Sequence, residues 1–239
     1  PVEAYPRASF AELLELRRHE FTIDDPGILA VAAAYRAQMG PRGRAFLRMV
    51  LERLAERWPP PRTGPALVIG CGAGSAMLEL ARTHARVVGV DPDLGDLILA
   101  RKAAEEQGLA HRSTLVQGYA QALPLAPGSV DLAIAEDVLE HVIDLDGTMA
   151  ELGRVLAPGG QFAGNCVNRY NLLRPEPHVR LWFVGFLPRR LQAGWVLRRR
   201  RFRGYAETVR LPSWRELRRA LGRIGGEAAM LFPRVEPYG

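Results

Sequence analysis

Lysine is almost missing from this chain of 239 residues: Lys102 stands alone, and the other 31 of the 32 basic residues are arginine. With 18 prolines and abundant alanine and leucine, that skew reads as a compositional habit of the genome and not as a functional signal. Cysteine is scarce as well. Cys71 and Cys166 cannot build a disulfide framework, nor a zinc site by themselves. A cytoplasmic setting and no metal centre are therefore expected. No secretory leader is read in the first residues. No uncharged apolar run approaches the ~20 residues of a membrane-spanning helix; the densest, 181–187, has seven. What remains is an ordinary globular composition, 48% hydrophobic and 24% charged. That length suits one large domain, or a domain with a modest appendage, and buries a core without staples.

Acidic residues are also unevenly distributed. Residues 174–223 carry fourteen arginines against Glu176, Glu207 and Glu216, a local net charge of +11. The formal +6 of the whole chain therefore leaves −5 for everything else. A chain basic throughout for nucleic-acid binding is excluded; a single basic region is not.

Apolar residues at helical spacing mark 8–58, with Leu13, Leu14, Leu16, then Phe46, Met49, Val50 and Leu54. Asp25-Pro26-Gly27 and Met39-Gly40-Pro41 are read as breaks, and Pro59-Pro60-Pro61 as a stiff linker. From residue 66 the pattern changes to short apolar runs alternating with helical stretches. Strands are expected at 66–69, 86–90, 113–116, 130–135 and 161–167, and helices at 75–84, 94–107 and 146–156. Gly108 is expected in a left-handed cap and Asp146 as an N-cap. Strands alternating with crossover helices predict an α/β fold, a doubly wound, Rossmann-like, mostly parallel sheet. Such sheets bind ligands beyond the carboxyl ends of their strands. The chemistry is thus expected just after Ile69, Val90, Val116, Ala135 and Val167.

The first such position holds Gly70-Cys71-Gly72-Ala73-Gly74, a glycine turn between a predicted strand and a helix starting at Ser75. The second holds Val90-Asp91, seventeen residues beyond Gly74. An acid ending the second strand suits a ribose with two free hydroxyls; the competing reading makes Asp91 the cap of the helix near Leu94. These two elements fit a nicotinamide dinucleotide or another adenosine-containing cofactor. The dinucleotide fingerprint requires a third glycine where this chain has Ser75, which favours a ligand without a pyrophosphate.

The segments 67–74, 90–91 and 117–160 resemble the class I S-adenosylmethionine-dependent methyltransferases, in particular the small-molecule branch that includes the ubiquinone-biosynthesis enzymes. Ala122-Leu-Pro-Leu-Ala-Pro-Gly-Ser-Val-Asp131, Asp137-Val-Leu-Glu140-His141 and Leu156-Ala-Pro-Gly-Gly160 carry the resemblance. It implies that Gly70, Cys71, Gly72 and Gly74 face the methionine part of S-adenosylmethionine. Asp91 would hold its ribose, Pro92 would flank the adenine, and Tyr119 and Ala120 would occupy the adenine-reading turn. Glu136 would end the fourth strand beside the methyl-transfer cleft, and His141 would belong to a Glu-His pair opening the next helix. Two positions depart from the family pattern. Val68 stands where an acid usually precedes the first glycine, and Tyr119 where an aspartate usually accepts from the adenine amino group.

Methyl transfer from a sulfonium requires mainly alignment; a hydroxyl acceptor also requires a base, for which histidine is suited. Of His19, His84, His111, His141 and His178, the last follows the fifth strand, where family members commonly line the acceptor pocket. His178 is the candidate catalytic base, with Asn168, Arg169 and Tyr170 as substrate-binding candidates. His84 and His111 are read as solvated, His141 as a structural helix-start residue, and His19 as lying on an N-terminal helix.

The expected organisation is a helical cap over 1–61, a cofactor-binding core over 62–173, an arginine-rich insert over 174–212, and a helix (213–221) and strand (227–232) completing the core over 213–239. Only 233–239 follow, so a six-stranded sheet without the family's seventh strand is expected. Residues 181–203 combine aromatics with arginines. They fit a peripheral contact with the inner face of a membrane and a lipid-like acceptor, a solvated helical face or homodimer contact, or nucleic acid. No Asn-Pro-Pro-Tyr or Asp-Pro-Pro-Tyr follows the fourth strand, which counts against an adenine acceptor. The expected activity is methyl transfer from S-adenosylmethionine to a small-molecule or lipid-like acceptor. The alternatives are an NAD(P)-dependent oxidoreductase and a catalytically inactive cofactor-binding interaction protein.

Overall fold

A computed structural model of the chain describes residues 3–5, 7–18, 39–200 and 205–227. Its centre is a parallel five-stranded sheet: β1 (Ala66–Ile69), β2 (Val87–Asp91), β3 (Ser113–Gln117), β4 (Val130–Ala135) and β5 (Leu156–Gly164), in the order β3-β2-β1-β4-β5. The strand order reverses between β1 and β4, so the loops leaving their carboxyl ends diverge and open a crevice. Every residue of β1 and β2 is buried, as expected of strands covered on both faces.

Helices cover both faces because side chains alternate along each strand. On one face Ala66, Val68 and Ile134 meet α2 (Met39–Ala55), α3 (Ser75–Ala81) and α4 (Leu94–Glu106) through Phe46, Met77 and Leu97. On the other, Leu67, Ile69 and Val90 meet Met149 and Leu152 of α5 (Leu145–Val155), and Ala220 of α8 (Trp214–Leu221) closes the layer. Each fully buried Leu, Ile or Met contributes on the order of 1.5–3 kcal/mol. The N-terminal α1 (Phe10–Arg18) lays Leu13 against Ala73 and Leu99, and so sits over the glycine turn. Between β5 and α8 lie α6 (Arg189–Arg200) and α7 (Tyr205–Thr208), with a small core of their own made by Val179, Val184, Val196, Tyr205, Val209 and Leu211.

The fold matches the α/β expectation, and 66–69 and 130–135 match residue for residue. Gly108 has φ 69°, and the Leu109 N–H reaches the Ala104 carbonyl at 2.7 Å, the bond that seals a left-handed helix end. Several expectations are corrected. Met39-Gly40-Pro41 starts α2 and does not break it; a proline in the first turn removes an N–H that has no helical partner anyway. The cap of α5 is Asp144, which accepts from Gly147 N at 2.9 Å, and Asp146 falls in the first turn. His84 is buried, its Nδ1 3.3 Å from the Leu80 carbonyl oxygen, and burial lowers its pKa. Strand β5 begins at Leu156, passes an irregularity around Gly159 (φ 76°), and ends at Gly164, three residues short of Val167. The expected strand 227–232 lies, beyond Glu227, outside the described residues, as do Asp25-Pro26-Gly27 and His19.

Candidate active site

The glycine turn leaves β1 under tight backbone control. Gly70 and Cys71 donate to the Val90 carbonyl at 2.7 and 3.2 Å, and Gly74 N closes the turn on Cys71 O at 2.9 Å. Gly70 has φ 60°, and a Cβ there would stand 2.4 Å from Cγ2 of Val138. The loop after β4 therefore packs directly on the glycine turn. Gly72 (φ 48°) faces open space and points its N–H at Asp91 Oδ2, 2.9 Å away.

Asp91 is 8% exposed. Its other oxygen accepts from Asp93 N at 2.8 Å. Burial pushes the carboxyl pKa up, against the pull of the Asp93 and Gly72 donors. The cap of α4 is Asp93, which accepts from Asp96 N at 3.1 Å, so the capping reading of Asp91 is replaced. Pro92 is exposed, and its carbonyl accepts from Gln117 Nε2 at 3.1 Å, linking the ends of β2 and β3. Beyond β3, Tyr119 is 55% exposed and Ala120 is buried. Cys71 is buried, which raises its thiol pKa strongly, and Val68 is packed among apolar side chains. The site thus has an open rim at Pro92 and Tyr119 and a closed floor at Cys71 and Asp91.

Glu136, half-buried, leaves β4. The next residue, Asp137, takes a left-handed φ of 52° and is stapled to the loop after β5: its N–H donates to Asn165 Oδ1 at 2.8 Å, and Asn165 Nδ2 donates to Asp137 Oδ1 at 2.6 Å. That conformation costs a non-glycine residue about 1–2 kcal/mol, which the reciprocal bonds offset. His141 does not open a helix as expected, since α5 begins only at Leu145. Its Nδ1 instead lies 2.6 Å from the Thr208 carbonyl oxygen.

His178 comes to the same place from the other side. Its Nδ1 pairs with Glu176, and its Nε2 is 3.1 Å from Nε2 of His141. Burial opposes a charge on His178, but the Glu176 hydrogen bond and the negative charges of Glu176, Glu140 and Asp137 together outweigh it, and the pKa is raised. Burial lowers the pKa of His141. Beneath them Glu140 is 0% exposed; Oε1 accepts weakly from Val167 N at 3.4 Å, and burial pushes the carboxyl up to about 7. Nearby, burial pushes the Cys166 thiol up to about 12.

The three acceptor candidates are placed less directly. Asn168 accepts from Tyr170 N at 3.0 Å. Arg169 donates to the carbonyls of Gly185 (2.9 Å) and Leu187 (3.4 Å), so it braces the insert. Tyr170 lies on the surface against Phe186, ring centroids 5.3 Å apart. The structure therefore gathers Gly70, Gly72 and Asp91 in one group and Glu140, His141 and His178 in another, with Val138 packed on Gly70 and its carbonyl accepting the His141 N–H at 2.8 Å. Glu140 and Glu176 were not singled out from the sequence, although Glu140 stands in the Glu-His pair that carried the resemblance.

Residues 67–164 match the family model described as "Methyltransferase domain". This segment is a methyltransferase domain. The chain is 34% identical over 143 residues to a ubiquinone biosynthesis O-methyltransferase of Methylocella silvestris, covering 55% of this chain and 54% of that protein. It is 35% identical over 97 residues to the sterol 24-C-methyltransferase erg6 of Aspergillus fumigatus, covering 40% of this chain and 26% of that one. The chain thus spans about half the length, or less, of these curated relatives. Among solved structures, the [4+2]-cyclase SpnF superposes with a TM-score of 0.53 at 25% identity, covering 73% of this chain and 56% of its own. Geranyl diphosphate C-methyltransferase from Streptomyces coelicolor shares the fold, with a TM-score of 0.52 at 21% identity, covering 72% of this chain and 56% of its own. The methyltransferase domain thus sits in a fold that serves more than one chemistry. No described helix is long and apolar enough to cross a membrane.

Proposed function

We propose that the protein transfers the methyl group of S-adenosylmethionine to a small-molecule or lipid-like acceptor. The observation that carries this reading is the glycine turn held on Asp91, with Val138 linking it to the histidine pair. In this reading Gly70, Cys71, Gly72 and Gly74 bound the methionine part, and Asp91 receives the ribose hydroxyls. Pro92, Tyr119 and Ala120 frame the adenine, and Glu136 lies beside the reacting centre. S-adenosylmethionine would supply there an electrophilic methyl group, which an acceptor lone pair would take while the C–S electron pair stayed with sulfur. A hydroxyl acceptor also has a proton to lose, and His178 is the residue at hand to draw it off, with Asn168, Arg169 and Tyr170 bordering its side of the site. Relatives named for ubiquinone and sterol methylation support an acceptor with an extended apolar part.

The insert supports a lipid-like acceptor further. Trp182, Phe183, Phe186 and Tyr170 are all exposed and form a chain of ring contacts 5.3–6.1 Å apart. Leu172 and Leu173 are exposed in the same segment, 62% and 87%. A continuous exposed aromatic patch marks a binding surface. With Arg198 and Arg199 exposed on α6, it fits peripheral contact with an anionic bilayer.

The deciding experiment is calorimetry with S-adenosylhomocysteine and with NAD⁺. Micromolar binding of the first and none of the second is expected. Binding of NAD⁺ alone would favour the oxidoreductase, and binding of neither would overturn the reading.

A further inference from the structure

The histidine pair has a consequence beyond proton transfer. A backbone carbonyl only accepts hydrogen bonds, so the Nδ1 of His141 facing Thr208 O carries that ring's hydrogen. The Nδ1 of His178, facing Glu176, carries the hydrogen of the other. In these neutral tautomers both Nε2 atoms are bare acceptors, and they face each other at 3.1 Å. Two lone pairs at that distance repel unless a proton or a metal ion lies between them. The third group is Glu140, whose Oε2 is buried without a hydrogen-bond partner, a costly state for a carboxyl oxygen.

We propose that Glu140, His141 and His178 bind one divalent transition-metal cation of the zinc type. Their ligand atoms lie within 4.8 Å of one another. Two ligands on one tetrahedral zinc, each at about 2.0–2.2 Å, stand about 3.3–3.6 Å apart, so the widest pair closes by a little over an ångström on binding. The 3.1 Å between the imidazole nitrogens already suits a shared ion. Both rings are held from behind by an oxygen acceptor on the opposite nitrogen, the arrangement that fixes tautomer and direction in metal-binding histidines. Two imidazoles and one carboxylate favour zinc-type ions over magnesium or calcium, which prefer oxygen throughout.

Three protein ligands leave a coordination position open. Two of the ligands, Glu140 and His141, stand on the loop that packs on Gly70 through Val138. Resting here on the methyltransferase reading, an acceptor hydroxyl ligating the ion loses its proton to water, because a bound cation makes a hydroxyl more acidic. His178 then serves as a ligand, and the deprotonation assigned to it is performed through the ion. Binding of the ion itself does not depend on that reading.

The test uses the full chain, stripped by chelator and titrated with Co²⁺ followed by optical absorption, then with Zn²⁺ by calorimetry. One equivalent of Co²⁺ giving visible d–d bands, displaced by Zn²⁺, is expected. His178→Ala and Glu140→Gln should each weaken binding by at least about a hundredfold, more than the ~10–100-fold typical of losing a supporting partner. The exposed His111→Ala should leave it intact. S-adenosylhomocysteine binding, measured on each variant, reports folding and separates the two claims. Loss of metal binding with the nucleoside still bound supports the site. Absent or non-saturable Co²⁺ binding overturns it while leaving the methyltransferase reading standing. Binding that survives both substitutions but disappears in Cys166→Ser also overturns it.

Discussion

Asp91 Oδ2 accepts the Gly72 N–H across 19 residues of chain, at 2.9 Å. One carboxylate thus fixes the glycine turn and, in the proposed reading, also receives the cofactor's ribose. Replacing it should damage both. A hydrogen bond to a charged group contributes about 1.5–3 kcal/mol, so Asp91→Ala should weaken S-adenosylhomocysteine binding roughly ten- to a hundredfold or more by calorimetry. Asp91→Asn keeps one acceptor oxygen and should lose less. Equal affinity in all three proteins would remove Asp91 from the cofactor site.

Gly70→Ala should destabilise the fold for two separable reasons. The left-handed φ costs about 1–2 kcal/mol, and the new Cβ meets Val138 at 2.4 Å. Urea unfolding should show the loss, and Val138→Ala in the same chain should recover the steric part alone. A double variant no more stable than Gly70→Ala would mean that the contact relaxes on its own.

His84 predicts an acid-side weakness. Its folded pKa lies below the ordinary 6.5 because burial disfavours the charge. As pH falls below 6.5, the unfolded chain takes up that proton before the folded one, and stability drops. His84→Leu should flatten the dependence of the urea midpoint between pH 7.5 and 5 compared with the parent chain. Identical slopes would assign acid sensitivity to other groups.

The insert should respond to lipid charge. With each arginine near an anionic surface contributing ~1 kcal/mol, changing Arg198, Arg199, Arg200 and Arg201 to glutamine should cost about 4 kcal/mol, roughly a thousandfold. Sedimentation with phosphatidylserine vesicles should be lost in that variant and reduced by salt in the parent. Neutral phosphatidylcholine vesicles should bind neither. Unchanged sedimentation of the variant would exclude the arginine face as a membrane contact.

The sheet was legible because its grammar is local. Strands such as 66–69 are short apolar runs bounded by turn residues, and the glycine turn and Asp91 sit at their ends. Where neighbours decide, the sequence left the outcome open or pointed elsewhere. Three aspartates, at 91, 93 and 96, compete near one helix start, and three-dimensional bonding gave the cap to Asp93. At α5 the same competition went to Asp144 over Asp146. His84 looked solvated because nothing local reveals that its turn is covered. The meeting of His141 and His178, 37 residues apart, depends on how the insert folds back onto the loop after β4, which no periodicity encodes. That Arg169 supports backbone carbonyls of the insert was hidden for the same reason.

The small core made by Val179, Val184, Val196, Tyr205, Val209 and Leu211 shares none of its members with the two layers that clasp the sheet. Substitutions in separate clusters add nearly independently. In the proposed reading, the packing of the part that meets the acceptor can therefore drift without eroding the core beneath the nucleoside. Its evolvability is written into where its hydrophobic residues do not touch.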